Sequence, residues 1–274
     1  MRYYYIGVKI NTEYKAPYFI GSMIRGAFGY ALKKVICINP SFKCDGCFAK
    51  DNCLYYSFYE EKNSFHKYRF DINLGDYRFD FGLYLFNEAC DGLPYILSAL
   101  EMVLTQNGLT KENYKFSDLT ISLNQEPIFN GNEFKSLNIL PKKFEIDTYC
   151  PNIKIKLLTP LRIKKNNRFL TNDIDIEDIL RSIYQKEQEF KKGEKAFKLD
   201  YRPTYSTTVK ALNYKPLLRK SNRQGKRMNM DGIMGEIAVL NLDKRSYRLF
   251  KLGEIIGVGK QTVMGLGKIE VEEI

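Results

Sequence analysis

Four thiols fall within seventeen residues as Cys37-x6-Cys44-x2-Cys47-x5-Cys53. Thiolates this close along a chain can wrap one ion or cluster, and both tetrahedral zinc and a [4Fe–4S] cluster suit an all-sulfur ligand set. In either form the expected role is structural, pinning a loop beside the helix before it. The plain alternative is four reduced cysteines. Cys90 and Cys150 stand alone and read as core residues.

A second stretch is built for anions. Tyr214-Lys215-Pro216-Leu217-Leu218-Arg219-Lys220-Ser221-Asn222-Arg223-Gln224-Gly225-Lys226-Arg227 carries six basic residues and no acid. Arginine forks bind phosphate in two places, Ser221 and Gln224 can donate to phosphate or base edges, and Tyr214 offers a ring to an unpaired base. A solvated basic loop is the plain alternative.

Further on, Gly257-Val258-Gly259-Lys260-Gln261-Thr262-Val263-Met264-Gly265-Leu266-Gly267 places four glycines in eleven residues around one lysine. Glycine has no Cβ and tolerates positive φ, so the sequence predicts main-chain N–H groups open to a phosphate backbone. A nucleotide P-loop is excluded, because five residues rather than four separate Gly253 from Gly259, and Gln261 stands where Ser or Thr is required. The dinucleotide fingerprint fails as well, with Thr262 at its third glycine position. A glycine turn closing a hairpin is the plain alternative.

Size and charge fit these readings. With 274 residues, 44% of them hydrophobic, 18 Phe and 20 Tyr, the chain can bury two cores. Its 43 Lys plus Arg against 32 Asp plus Glu give a net charge of +11, which favours an anionic partner such as nucleic acid. The first ten residues lack the apolar core and cleavage site of a secretory signal, and no run reaches the ~18 apolar residues of a membrane span. A cytoplasmic protein with no membrane partner is expected, its cysteines reduced or metal-bound rather than paired.

These groups must be positioned by regular elements. Tyr4, Ile6, Val8 and Ile10 alternate as one face of a strand over 3–10. A helix over 22–36 follows, with Ser22 as N-cap and an inward stripe of Ile24, Phe28, Leu32 and Val35, then a cysteine-rich insertion over 37–60. Strands near 66–72 and 77–86, a helix over 94–106 carrying Ile96, Leu97, Leu100, Val103 and Leu104 and stopping at Gly108, and a strand over 118–124 complete the first half. After a boundary near 145, Ile153, Ile155 and Leu157 alternate again. The next helix is predicted over 173–190, opened by Asp173, Asp175, Glu177 and Asp178. Strands near 204–212 and 231–241, a helix over 244–256, the glycine loop and a last strand follow. The expected fold is α+β: two tandem ferredoxin-like βαββαβ domains, residues 1–145 and 146–274, with the basic segment 214–230 and the glycine loop 257–267 in the second.

The ordered set Arg25-Gly26-Ala27-Phe28-Gly29, Cys37 to Cys53, Thr159-Pro160-Leu161-Arg162-Ile163, Arg219-x-Ser221-x-Arg223-Gln224 with Gly232 and Gly235 after it, and the glycine loop resembles the CRISPR repeat-processing endoribonuclease family of the RAMP superfamily. The likeness covers nearly the whole chain. It implies a tandem ferredoxin-like fold that binds CRISPR repeat RNA and cuts the precursor transcript once per repeat, with no cofactor in the chemistry. Carried onto this sequence, RNA contacts fall on Arg25, Tyr214, Arg219, Arg223, Gln224, Lys226, Arg227, Gly257, Gly259, Thr262, Gly265 and Gly267. Members often carry a tryptophan just before the Arg-x-Ser segment, whereas this chain has no tryptophan and offers Tyr214.

Metal-free cleavage of RNA needs one group to take the 2′-OH proton, another to protonate the 5′-oxygen, and positive charge on the phosphorane-like transition state. Histidine suits the proton steps. His66, the single histidine, is flanked by Lys67 and Arg69, which would hold the scissile phosphate; Lys260, Tyr205 and Ser221 are the other catalytic candidates. The expected products are a 2′,3′-cyclic phosphate and a 5′-hydroxyl. The rival reading is a non-catalytic RAMP-type subunit that holds guide RNA among effector-complex subunits. A third is a redox or iron-sensing regulator, since the cysteine spacing is similar to the iron–sulfur loop of certain DNA glycosylases; nothing else in the chain resembles a glycosylase. Monomer and homodimer both remain open.

Overall fold

Alternation sets the first strand. The computed structural model describes residues 1–135, 138–220 and 227–274, with the backbone alone at 220. The chain divides into two compact units, Met1–Lys143 and Phe144–Ile274. In the first, strand β1 (Arg2–Ile10) buries Tyr4, Ile6, Val8 and Ile10, as period-two patterning requires. Helix α1 (Gly21–Ile36), the short helix α2 (Leu54–Tyr59), strands β2 (Tyr68–Asp71) and β3 (Phe81–Phe86), helix α3 (Leu93–Glu101), and strands β4 (Leu119–Leu123), β5 (Glu126–Phe129) and β6 (Lys142–Lys143) follow. The sheet runs β2-β3-β1-β4-β5, with β6 on β1. β1 is antiparallel to both β3 and β4.

The α1 stripe buries Ile24, Phe28 and Leu32 while Val35 is half-buried, and α1 packs against α3. Ser22 is not the N-cap. The first helical bond runs from the Ile24 N–H to the Ile20 carbonyl, so Ser22 already lies inside the first turn. Past α3 the helix widens into one π turn, Met102–Asn107, and stops at Gly108 with φ +80°.

The second unit holds β7 (Ile153–Leu161), β8 (Lys164–Lys165), β9 (Arg168–Phe169), α4 (Ile176–Lys192), β10 (Thr207–Lys215), β11 (Leu218–Lys220), β12 (Arg227–Asn229), β13 (Gly232–Leu240), α5 (Lys244–Ile256) and β14 (Ile269–Glu273). Its main sheet runs β10-β13-β7-β14, all antiparallel. Helices α4 and α5 pack on each other, burying Ile179, Leu180 and Ile183 from one and Leu249, Phe250 and Leu252 from the other. Helix α4 starts three residues later than expected: Asp173 precedes it and instead pairs with Lys210 at 2.9 Å. Asp243 caps α5 by accepting the Ser246 N–H at 2.9 Å.

Two small hairpins were not foreseen. β8 and β9 close on Asn166 and Asn167, with φ +51° and +63°, the left-handed pair that a two-residue turn needs. β11 and β12 pair from Leu218↔Asn229 to Lys220↔Arg227 as a two-stranded sheet of their own. Among the described residues no helix is long and apolar enough to cross a membrane.

Candidate nucleic-acid interface

The glycine loop follows α5 and spends its amides on its own unit. The N–H of Val258 donates to the Gly267 carbonyl (2.9 Å), that of Lys260 to the Arg162 carbonyl (2.8 Å), that of Gly267 to the Pro160 carbonyl (3.2 Å) and that of Gly259 to Ser182 Oγ on α4 (2.9 Å). Gly257 and Gly265 donate to the Gly253 and Thr262 carbonyls. The expectation of glycine amides open to phosphate is therefore corrected at Gly257, Gly259, Gly265 and Gly267. A Cβ at Gly259 (φ +75°) would stand 2.5 Å from the Arg162 oxygen, and one at Gly267 (φ +69°) 1.8 Å from the Val258 oxygen. The close approach that demands glycine is to this chain's own backbone.

Thr159 completes that wall, its hydroxyl donating to the Gly265 carbonyl and accepting the Lys268 N–H, both at 2.9 Å. What the loop turns outward is its tip, with Lys260 exposed and Gln261, Thr262 and Val263 half-exposed. Beneath it, Lys186 of α4 is 2% exposed and donates to the Gly257 carbonyl at 2.9 Å and to Thr262 Oγ1 at 3.4 Å.

Arg162, just past β7, is 6% exposed. Its Nε donates to Gln261 Oε1 at 2.9 Å, another guanidinium nitrogen donates to the Asp231 carbonyl, and the planar group lies 4.2 Å from the Phe169 ring centre. Asp231 in turn accepts from the Leu217 N–H at 2.7 Å and from the Tyr214 hydroxyl at 3.3 Å. Burial lowers the proton affinity of Arg162, while burial and the Asp231 carboxylate raise the Tyr214 pKa. One end of the second unit's sheet thus gathers the loop tip, Tyr214 and the bases of both small hairpins.

The charge at this end comes from several elements. Lys164, Arg168, Arg227 and Lys260 are exposed; Lys165 is also exposed but held by Asp178 at 3.1 Å and Asp175 at 3.6 Å. Arg219 is half-buried, one guanidinium nitrogen 3.2 Å from the Met228 sulfur. Ser221, Arg223, Gln224 and Lys226 lie outside the described residues. Lys164, Arg168 and Arg162 itself were not assigned from sequence, although two asparagines between short basic and apolar pairs are a hairpin signal.

Tyr205 is not brought to this end. It precedes β10, whose Thr207 pairs with Leu240, while Lys215 at the far terminus pairs with Gly232 beside Leu161. Nine residues of strand put about 26 Å between those termini.

In the first unit, His66 is half-buried, its Nδ1 2.9 Å from the Ser57 carbonyl. A carbonyl only accepts, so Nδ1 carries the proton and Nε2 is the basic nitrogen. The flanking cations do not serve as expected. Arg69 is 1% exposed and lies 4.5 Å from the ring centre of Tyr84, its cross-strand partner on β3, and Lys67 pairs with Glu88 at 2.5 Å. Arg25 sits 4.5 Å from the Tyr59 ring centre, half-buried among aromatics.

Cys37 ends α1, Cys44 and Cys47 occupy turns, and Cys53 precedes α2. Burial raises the Cys44 thiol pKa. Among the described residues no group of three or more His, Cys, Asp or Glu side chains is arranged to hold a metal ion. Cys90 is buried and Cys150 half-buried.

Comparison with known proteins adds to this geometry. Residues 1–139 match the AF_1859_N family model, described as an N-terminal domain, and residues 155–269 match the model of the CRISPR-associated endoribonuclease Cas6. An uncharacterized protein of Archaeoglobus fulgidus is 23% identical over 277 residues, covering 93% of this chain and 92% of its own. The fold is similar to that of a Cas6 (TTHB231) product complex, with TM-score 0.60 and 14% identity over 99% of this chain and all of the other. Thermus thermophilus Cas6 (TTHB231) gives 0.57 and 12% over 99% of this chain and 98% of that one. A Cas6 (TTHA0078) product complex gives 0.57 and 11%, both chains being covered in full.

Proposed function

Because the chain belongs to the CRISPR repeat-processing Cas6/RAMP-type family, we propose that it binds CRISPR repeat RNA and cuts the precursor transcript at each repeat. The observation that carries this reading is the gathering of Lys260, Tyr214 and two basic hairpins around Arg162 at one end of the second unit's sheet. Exposed cations there meet phosphates, and Tyr214, 45% exposed, offers a face for an unpaired base. Counting β1 to β4 in the first unit and β7, β10, β13 and β14 in the second, the strand order is 2-3-1-4 in each, which supports reading the two units as tandem ferredoxin-like domains.

Cleavage is assigned to attack of the ribose 2′-oxygen on the adjacent phosphorus, with loss of the 5′-oxygen, giving a 2′,3′-cyclic phosphate and a 5′-hydroxyl. His66 is assigned the proton transfer: Nδ1 donates to the Ser57 carbonyl, so Nε2 is the nitrogen that takes the 2′-OH proton, and solvent water supplies the proton of the departing 5′-oxygen. Lys260 supplies charge to the strand through its ammonium rather than through the loop's amides.

The test is incubation of purified protein with end-labelled repeat RNA in EDTA, reading cut position and end chemistry. A single cut with a cyclic phosphate supports the assignment. Binding without cutting assigns the chain to the non-catalytic, guide-holding class, and cutting that EDTA abolishes replaces the acid–base scheme with a metal one.

The cysteine spacing supports a structural group beside α1. The tight Cys37-x6-Cys44-x2-Cys47-x5-Cys53 spacing, unlike the two widely separated pairs usual for zinc, makes [4Fe–4S] the form proposed. Iron and sulfide analysis of anaerobically purified protein checks it; one equivalent of zinc, or four freely reactive thiols, removes it.

A further inference from the structure

Arg162 belongs to no exposed surface, yet every element gathered at the interface end of the second unit touches it. Its side chain reaches Gln261 in the loop tip, the Asp231 carbonyl at the base of the β11–β12 hairpin and the Phe169 ring of the β8–β9 hairpin, and its own carbonyl takes the Lys260 N–H. Asp231 extends the chain of contacts to Leu217 and Tyr214. A planar guanidinium fixes the angle between its two acceptors in a way a lysine ammonium cannot. Gln261 is held in the left-handed region, φ +60°, so its side chain is aimed by the backbone as well.

We propose that Arg162 is a positioning residue, a latch that joins the glycine-loop tip to the two basic hairpins so that they move and bind as one body. This rests on the proposed function for its ligand, a single RNA strand, but not for the coupling itself. Without the latch each element would still carry its charge, and each would contact the strand independently. With it, ordering one element orders the others, and contacts at Lys260 and Arg227 reinforce each other.

The mildest probe is Gln261→Asn, which tolerates the same positive φ and is one methylene too short to reach Arg162. Arg162→Lys is the second probe, keeping the charge without the fork. In the free, full-length protein, amide exchange at Leu217–Lys220 and Arg227–Asp231 is expected to quicken about tenfold in both variants, the weight of one charge-assisted hydrogen bond, although neither substitution lies in those segments. Quickening confined to 258–267 overturns the latch. With repeat RNA, Lys260→Ala and Arg227→Ala are expected to be non-additive in the parent and additive in the Gln261→Asn background; additivity in the parent also overturns it. If exchange spreads as described but the parent fails to bind repeat RNA, the latch stands and the assignment of its ligand falls.

Discussion

The ammonium of Lys186, buried on α4, donates to the carbonyl of Gly257 at 2.9 Å, tying the middle of one helix to the end of the next at the point where the glycine loop begins. A lysine so enclosed is kept for its hydrogen bonds, because a buried carbonyl left without a donor is costly. Lys186→Met should fill the same space and lose those bonds. Chemical denaturation is expected to show a loss of about 1–3 kcal/mol; an unchanged midpoint would mean that Gly257 is satisfied some other way.

Gly267 makes a sharper demand. At φ +69°, with 1.8 Å between its would-be Cβ and the Val258 oxygen, Gly267→Ala must force the two arms of the glycine loop apart at Val258. A loss exceeding the roughly 1 kcal/mol of a tolerated Gly→Ala change is expected in thermal unfolding, with lowered repeat affinity. Near-parent stability would show that the loop has room the packing does not reveal.

Asp243 gives a pH dependence with a definite sign. Burial alone would raise its pKa, but N–H donors from Thr204 and Ser246 and the Ser246 hydroxyl outweigh it, so the folded value is lowered. A lowered carboxyl adds stability that is fully present above the unfolded value of about 3.9 and is lost as pH falls through the folded value. Asp243→Asn still caps α5 but cannot titrate, so its acid limb should be shallower than that of the parent. Parallel limbs in urea midpoints between neutral pH and pH 3 would contradict this.

His66→Ala is expected to abolish cleavage in EDTA while repeat affinity stays within about threefold, since His66 stands apart from the basic elements in sequence and belongs to the other unit. Retained cutting would pass the proton role to Lys260 or Ser221.

Much of the scaffold was legible because burial imposes periodicity. Tyr4, Ile6, Val8 and Ile10 marked β1, and α5 spans the residues its pattern indicated, Lys244–Ile256, with a capping aspartate before it. Helix starts were less legible where no side chain does the capping: Ser22 and Asp173 have the right chemistry, but backbone bonding begins at Ile20 and the aspartate is drawn to Lys210. The site was read through composition, which reveals charge but not direction. Arg69 and Lys260 look alike in sequence; strand register buries one and a loop tip exposes the other. The glycines were recognised and their purpose misjudged, because a pattern that permits close approach does not say to what.

The inward bonding of the glycine loop separates its architecture from what it displays. The amides at frame positions 257, 259, 265 and 267 donate to Gly253, Ser182, Thr262 and Pro160, whereas the side chains at 260 and 263 belong to the tip that the loop turns outward. The loop is thereby a scaffold on which outward residues can be exchanged without refolding, and a library randomised at those two positions would retune which strand is held while the rest of the molecule stays as it is.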